Sequence, residues 1–195
     1  MSEIFVPRTT APDPYSPYWQ GIAYGGYNKF RVHDMYPGCT LPNCTAYCEG
    51  RWMEIMGWTS TNLPFMNATY WYAHTSDGYA RGQDPQLGAI ICWENWDEDG
   101  NPDAGHVGVV EQLFTDSIGQ INRLGVSWSA SGGAYFNYRT DITLANGWKY
   151  KTRSRFQGFI YLPSVPIDIT SDEGIAIMFG RQDRKIFNQY IKRRK

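Results

Sequence analysis

Two kinds of hydrophobic periodicity divide the chain. From Asn43 to about Met56, the positions Tyr47, Arg51, Trp52, Ile55 and Met56 fall near i, i+4, i+5, i+8 and i+9, which predicts one stripe of an α-helix. Pro42 stops the extended chain before it, Asn43 is a good N-cap, and Gly57 is a natural stop. A second short helix is predicted from Asn67 to about Thr75, with Ala68, Trp71 and Tyr72 inward and Asp77-Gly78 ending it. After the turn at Pro85–Gly88 the pattern changes. Ala89-Ile90-Ile91-Cys92-Trp93 is a continuous apolar run, as in a strand buried on both faces. Asp97–Asp103 has the chemistry of a hairpin tip, His106–Phe114 reads as the return strand, and Ile121–Ser129 and Phe156–Leu162 as later ones. Helices first and an antiparallel meander of four or more strands after them predict an α+β fold.

The ends differ from this middle. Residues 1–20 are rich in Pro and polar groups and read as an extended arm, residues 21–163 as one domain, and residues 164–195 as a basic, part-helical extension. Residues 1–163 carry 11 basic and 15 acidic side chains, whereas 164–195 carry 7 and 4. All seven of those basic groups lie in 181–195, where Ile186, Phe187, Tyr190 and Ile191 recur at helical spacing between Arg184 and Lys192. Such a segment suits docking onto an anionic partner or another protein, and is equally the pattern of a solvated end. The start, Met1-Ser-Glu-Ile-Phe-Val-Pro-Arg, lacks a basic segment followed by an apolar one, so no secretion signal is expected. No apolar run approaches a membrane span. A hydrophobic content of 42% argues against global disorder. Eight Trp and fourteen Tyr exceed what a core of this size needs, so some either line a groove or sit as ordinary surface rings.

Candidate chemistry concentrates in two segments. Cys44 opens the first predicted helix, where the dipole and free N–H groups favour a thiolate. His106 opens the return strand, and an imidazole beside a thiol can take its proton and pass it to a leaving amine. Each also has an ordinary reading, a small buried hydrophobe and a satisfied histidine. The four cysteines are too irregular for a disulfide framework. Cys39, Cys44, Cys48 and His106 lack the spacing of a zinc knuckle. Asp97, Asp99, Asn101 and Asp103 place oxygens at alternate positions, but the bidentate Glu of a calcium loop is replaced by Val109, and Asp34 is the one carboxylate between residues 30 and 44. No cofactor or metal is therefore expected, with calcium the one candidate.

Five segments then carry a resemblance. They are Asn43–Arg51 (NCTAYCEGR), Asn67-Ala68 with Trp71, the Pro85/Gly88-Ala89-Ile90 turn and strand, Gly105–Glu111 (GHVGVVE) and Phe156–Pro163. In this order they resemble the CHAP family, the cysteine- and histidine-dependent amidohydrolases/peptidases that cut bacterial peptidoglycan. The resemblance covers roughly residues 20–163. It implies a papain-like, NlpC/P60-superfamily-like fold with N-terminal helices packed on an antiparallel sheet, Cys44 as nucleophile, and His106 as general base and then acid. The oxyanion would be held partly by the Cys44 backbone N–H, with Asn43 and Trp71 on the substrate side.

One position departs from the family pattern. The strand after His106 usually supplies a polar residue that orients the imidazole, and here the aligned position is Trp128, whose indole can only donate. Ser127 through a shifted register, Ser129, or a backbone carbonyl are the alternatives, with Asn122 and Glu111 more remote; a weak enzyme is the other outcome. The expected function is a peptidoglycan amidase or endopeptidase, as a phage virion lysin or endolysin acting on the cell wall. The expected location is the virion, or the host cytoplasm with release to the wall. Other virion proteins would be partners through 181–195, with no nucleic acid required. A catalytically weak structural or wall-binding protein of the same fold is the competing expectation.

Overall fold

A computed structural model describes residues 5–163. One α-helix, α1 (Cys44–Met56), packs on a six-stranded sheet. The strands are β1 (Arg81–Gly82), β2 (Ile90–Asn95), β3 (His106–Thr115), β4 (Ile121–Trp128), β5 (Asn137–Thr143) and β6 (Ser154–Ile160). Their order is β1-β6-β2-β3-β4-β5, and every neighbouring pair is antiparallel. The α+β expectation holds: β2 to β5 form a meander, and β6 returns to pair with β2.

Local chemistry sets the helix ends. Asn43 is extended (φ −161°, ψ 131°), and its side chain accepts the Ala46 N–H, one of the orphan donors of the first turn. Gly57 closes the helix at φ 64°, donating its N–H to the Met53 carbonyl.

The strands alternate their side chains between two apolar layers. On one face Ile90, Cys92, Val107, Val109 and Ile160 meet Ala46, Tyr47, Cys48 and Trp52 of α1. On the other, Ile91, Trp93, Val110, Val126, Trp128 and Phe159 meet Trp148 from the β5–β6 connection. This alternation puts Trp93 and Trp128 on the face away from Tyr47.

One expectation is corrected. The second helix is not an α-helix: residues 67–78 form two 3-10 turns, Ala68–Tyr70 and Thr75–Asp77. The carbonyls that would continue a helix are drawn off by Arg81, whose guanidinium donates to the Trp71, Tyr72 and His74 oxygens and pairs with Asp77 at 2.6 Å. The expected four or more strands are joined by the short β1 and by β5, a strand of mixed polar character in which Ile142 is the buried side chain.

The described part of the N-terminal arm is docked rather than free. Phe5 is buried, the Arg8 N–H donates to Glu111 Oε2 at 2.9 Å, and Tyr135 donates to the Pro12 carbonyl. Glu111 is fully buried, and Arg51 reaches it from α1 with two hydrogen bonds of 3.0 and 2.9 Å. Arm, helix and sheet thus share one buried carboxylate. The expected extension at 164–195, with its basic helix candidate, lies outside the described residues.

Candidate active site

The start of α1 and the start of β3 converge. Cys44 stands at the helix N-terminus, held there by Asn43, whose Oδ1 accepts from both Ala46 N and Thr45 Oγ1. Burial pushes the Cys44 thiol up to about 11, against backbone hydrogen bonds from Val107, Thr45 and Cys44 itself, which favour the thiolate. The Val107 contact places the sulfur beside the residue that follows His106.

His106 is aimed by its own approach loop. Gly105 adopts φ 73°, and a Cβ there would lie 2.4 Å from the Thr69 backbone nitrogen, so only glycine fits. Thr69 N in turn donates to the Ala104 carbonyl at 2.9 Å, tying the 3-10 turn to the β2–β3 loop. Asp103 Oδ1 accepts the Gly105 N–H at 2.6 Å.

An aromatic box then receives the ring. Tyr150 stacks on His106 at 4.8 Å, Trp93 lies near-parallel at 5.8 Å, and Trp128 meets it edge-on at 5.6 Å. Trp93 donates its indole N–H to the Trp148 carbonyl at 2.7 Å, with Trp148 in the left-handed region at φ 58°. That link fixes the loop carrying Tyr150. Burial in this box, with the Lys151 charge adding to it, pulls the His106 imidazole down to about 3. Both shifts favour a thiol and a neutral imidazole as the resting pair. His106 Nε2 is buried and has no hydrogen-bond partner.

Cys44 and His106 line one cleft of about 510 Å³, together with Asn43, Asn95, Trp128 and Tyr150 among others. The remaining predicted residues divide sharply. Asn43 lines the cleft, but its side-chain oxygen is engaged as the helix cap. Trp71, expected on the substrate side, is fully buried in the core and donates to the Met66 carbonyl; Met66, Asn67 and Ala68 form that wall instead. Ser127, expected as the third member, faces α1: it donates to Glu111 Oε1 at 2.7 Å and accepts from Tyr47 Oη at 2.8 Å. A strand alternates faces, so placing Trp128 beside His106 sends Ser127 away from it. Ser129 accepts the Asn43 N–H at 3.2 Å and bonds the Ala134 carbonyl, joining β4 to the helix start. Glu111 is the buried anchor of Arg51, and Asn122 is exposed.

Among the described residues, no group of three or more His, Cys, Asp or Glu side chains is placed to hold a metal ion. At the hairpin tip, Asp97 spends its carboxylate on Asp99 N, Asn101 N and Asn101 Nδ2 of its own loop. No helix among these residues is long and apolar enough to cross a membrane.

Two cleft residues escape the sequence reading. Asn95 is legible in principle, as the polar residue two places beyond Trp93 on the same face of β2. Tyr150 lies in an irregular connection and has no periodic signal.

The family model of the CHAP domain matches residues 34–125, a span that holds α1, Cys44 and His106 and ends within β4, before Trp128. No curated protein and no solved structure matches the chain.

Proposed function

We propose that this chain is a peptidoglycan hydrolase that cleaves an amide bond with Cys44 as nucleophile and His106 as general base and acid. The observation that carries it is the meeting of a helix-terminal cysteine and a strand-initial histidine in one cleft, inside the span matched by the CHAP domain. The CHAP match supports hydrolase chemistry on cell-wall peptidoglycan; amidase or endopeptidase cleavage is the finer part of the proposal.

The neutral resting pair dictates the order of events. In this reading Nδ1 serves the thiol, and the buried Nε2 carries the resting proton of the ring. As Sγ attacks the scissile carbonyl carbon, its proton passes to the imidazole, and the thiolate never has to persist in a site that disfavours it. The tetrahedral oxyanion sits at the start of α1, where the Cys44 backbone N–H and the helix dipole face it. The imidazolium protonates the departing amine and leaves an acyl-enzyme. Water then attacks with His106 again as base, releasing a carboxylate and restoring the thiol.

A second reading, a weakly catalytic wall-binding protein, is favoured by one observation: the unpartnered Nε2 of His106. Release of new amino groups from purified Gram-positive cell walls separates the two. The hydrolase reading expects release by the wild type and its loss in Cys44→Ala and His106→Ala with folding intact, and mass spectrometry of the fragments names the bond. No release by the wild type across a panel of walls favours the second reading. Delivery as a phage virion lysin, rather than as an endolysin held in the host cytoplasm until release, is the companion proposal. It is supported by the apolar-plus-basic spacing of Arg184–Lys192, and purified virions lacking this chain would exclude it.

A further inference from the structure

A base that accepts a proton on one imidazole nitrogen must carry a proton on the other, and that N–H needs an acceptor. The acceptors around His106 are few. Trp93 and Trp128 offer only indole donors. Ser127, Ser129 and Glu111 are engaged elsewhere. Asp103 is committed to Gly105 N and to Lys151 Nζ at 3.6 Å.

Among the described residues that line the cleft, one buried side-chain acceptor is left unpaired. Asn95 is 2% exposed, and its Oδ1 is buried without a partner, like His106 Nε2. Buried polar atoms without partners are rare, and here a free acceptor and a free ring nitrogen line the same cleft. The register keeps them on one face: Trp93 pairs with His106 across β2 and β3, and Asn95 follows Trp93 by two residues on the same face. Tyr150 is common to both, stacking on the imidazole at 4.8 Å and accepting the Asn95 Nδ2–H at 2.7 Å. Because the amide nitrogen is held by the Tyr150 hydroxyl, the oxygen is the end left for the ring.

We propose that Asn95 Oδ1 and His106 Nε2, both unpaired in this structure, close a hydrogen bond in solution that makes Asn95 the positioning residue of His106, while Tyr150 clamps the amide from the other side. The strand before His106 then does the work expected of the strand after it, where Trp128 stands. This inference rests on the hydrolase reading for its meaning, but its test reads the ring and not turnover.

The experiment is a pH titration of the full chain labelled with ¹⁵N-histidine, followed through the ring nitrogens. The wild type, Asn95→Ala, Asn95→Asp and Tyr150→Phe are compared, with His106→Gln assigning the signals. The wild-type His106 is expected to be neutral at pH 7 with its proton on Nε2. Asn95→Asp puts a carboxylate beside that proton and raises the His106 pKa by about one to three. The other charged or titratable groups facing the ring (Lys151, Asp103, Tyr150 and Cys44) are unchanged in that variant. Asn95→Ala is expected to expose the Nε2–H to fast exchange, and Tyr150→Phe to retain the Nε2 tautomer. A ring protonated on Nδ1 in the wild type, or a His106 pKa unmoved by Asn95→Asp in a protein with native spectral dispersion, overturns the assignment. A wild type that leaves cell walls intact would defeat the hydrolase reading, while the ring data still decide the role of Asn95.

Discussion

Replacing Glu111 by Gln tests whether this carboxylate belongs to the scaffold or to the surroundings of His106, the proposed general base. Glu111 is fully buried and accepts four hydrogen bonds: the Arg8 N–H, two from the Arg51 guanidinium, and the Ser127 hydroxyl. Gln keeps the shape but loses the charge and turns one acceptor into a donor facing other donors. Removing one partner of a buried ion pair costs about 3–5 kcal/mol, because the remaining charge is left uncompensated. Arg51 retains Glu54 at 2.6 Å and the Val6 carbonyl at 2.5 Å, which places the expected loss near the lower end, about 3 kcal/mol. For a chain of this size that is a fall in melting temperature of about 6–12 °C. Thermal unfolding gives the number, and limited proteolysis near Arg8 is expected to quicken as the arm loses its anchor. Under the proposed hydrolase function, the pH dependence of amino-group release from cell walls, measured well below the melting point, is expected to stay in place. A melting temperature within about 2 °C of wild type would refute the anchor argument. A displaced pH profile at full folding would make Glu111 part of the histidine's environment after all.

Other outcomes follow from the same geometry. His106 is held neutral by burial, its pKa falling from 6.5 to about 3, so its contribution to stability is present above pH 6.5 and lost as pH falls toward 3. Relative to His106→Gln, the wild type should lose about 1.4 kcal/mol per pH unit over that window in urea unfolding, and a pH-independent difference would refute it. Glu49 runs the other way: burial raises it from 4.5 to about 7 despite Lys29 at 3.4 Å, so its contribution is full below 4.5 and lost as pH rises through 7. The stability advantage of Glu49→Gln over wild type should therefore shrink as pH falls from about 7 to 4.5, and a constant difference would contradict the burial argument. Gly105→Ala should cost about 2–4 kcal/mol, combining a left-handed backbone with the Thr69 clash; Gly57→Ala, left-handed in open space, should cost only about 1. Equal losses by thermal unfolding would show that the Thr69 contact does not constrain the approach to His106.

Much of the sheet and all of α1 were legible because their signals are local and strong. Asn43 and Gly57 bracket a helical stripe, and Ala89–Trp93 cannot be anything but a buried segment. The second helix was misread because its competitor is distant in sequence: Trp71, Tyr72 and His74 look helical until Arg81 takes their carbonyls. Edge strand β5 gave no alternation to read, since Tyr138, Arg139, Thr140 and Asp141 carry little apolar signal before Ile142. At the site, Cys44 and His106 stood out by position, and both reach the cleft. Trp71 did not, because a large ring beside a helix cap has the same pattern whether it lines a groove or fills a core. Asn95 and Tyr150 went unread for a different reason. Their roles depend on which atoms stay unpaired after folding, and that accounting exists only in three dimensions.

The aromatic box makes sense of the tryptophan that stands where a polar residue was expected. Packing His106 among Trp93, Trp128 and Tyr150 removes water from one side of the ring, which depresses its pKa and keeps it in the neutral form a general base needs. The same burial raises Cys44, so the pair does not discharge into a thiolate–imidazolium state at rest. A carboxylate at position 128 would reverse both effects by stabilising the imidazolium. A neutral amide acceptor such as Asn95 orients the ring without adding charge, and so is compatible with a dry, neutral dyad whose proton moves only when a carbonyl is in place to be attacked. Trp128 and Asn95 are then two halves of one arrangement, the first excluding water and the second holding the ring. Changing either alone should disturb the histidine in opposite directions: Trp128→Gln admits water and raises its pKa, whereas Asn95→Ala removes the acceptor that favours the protonated ring and lowers it further.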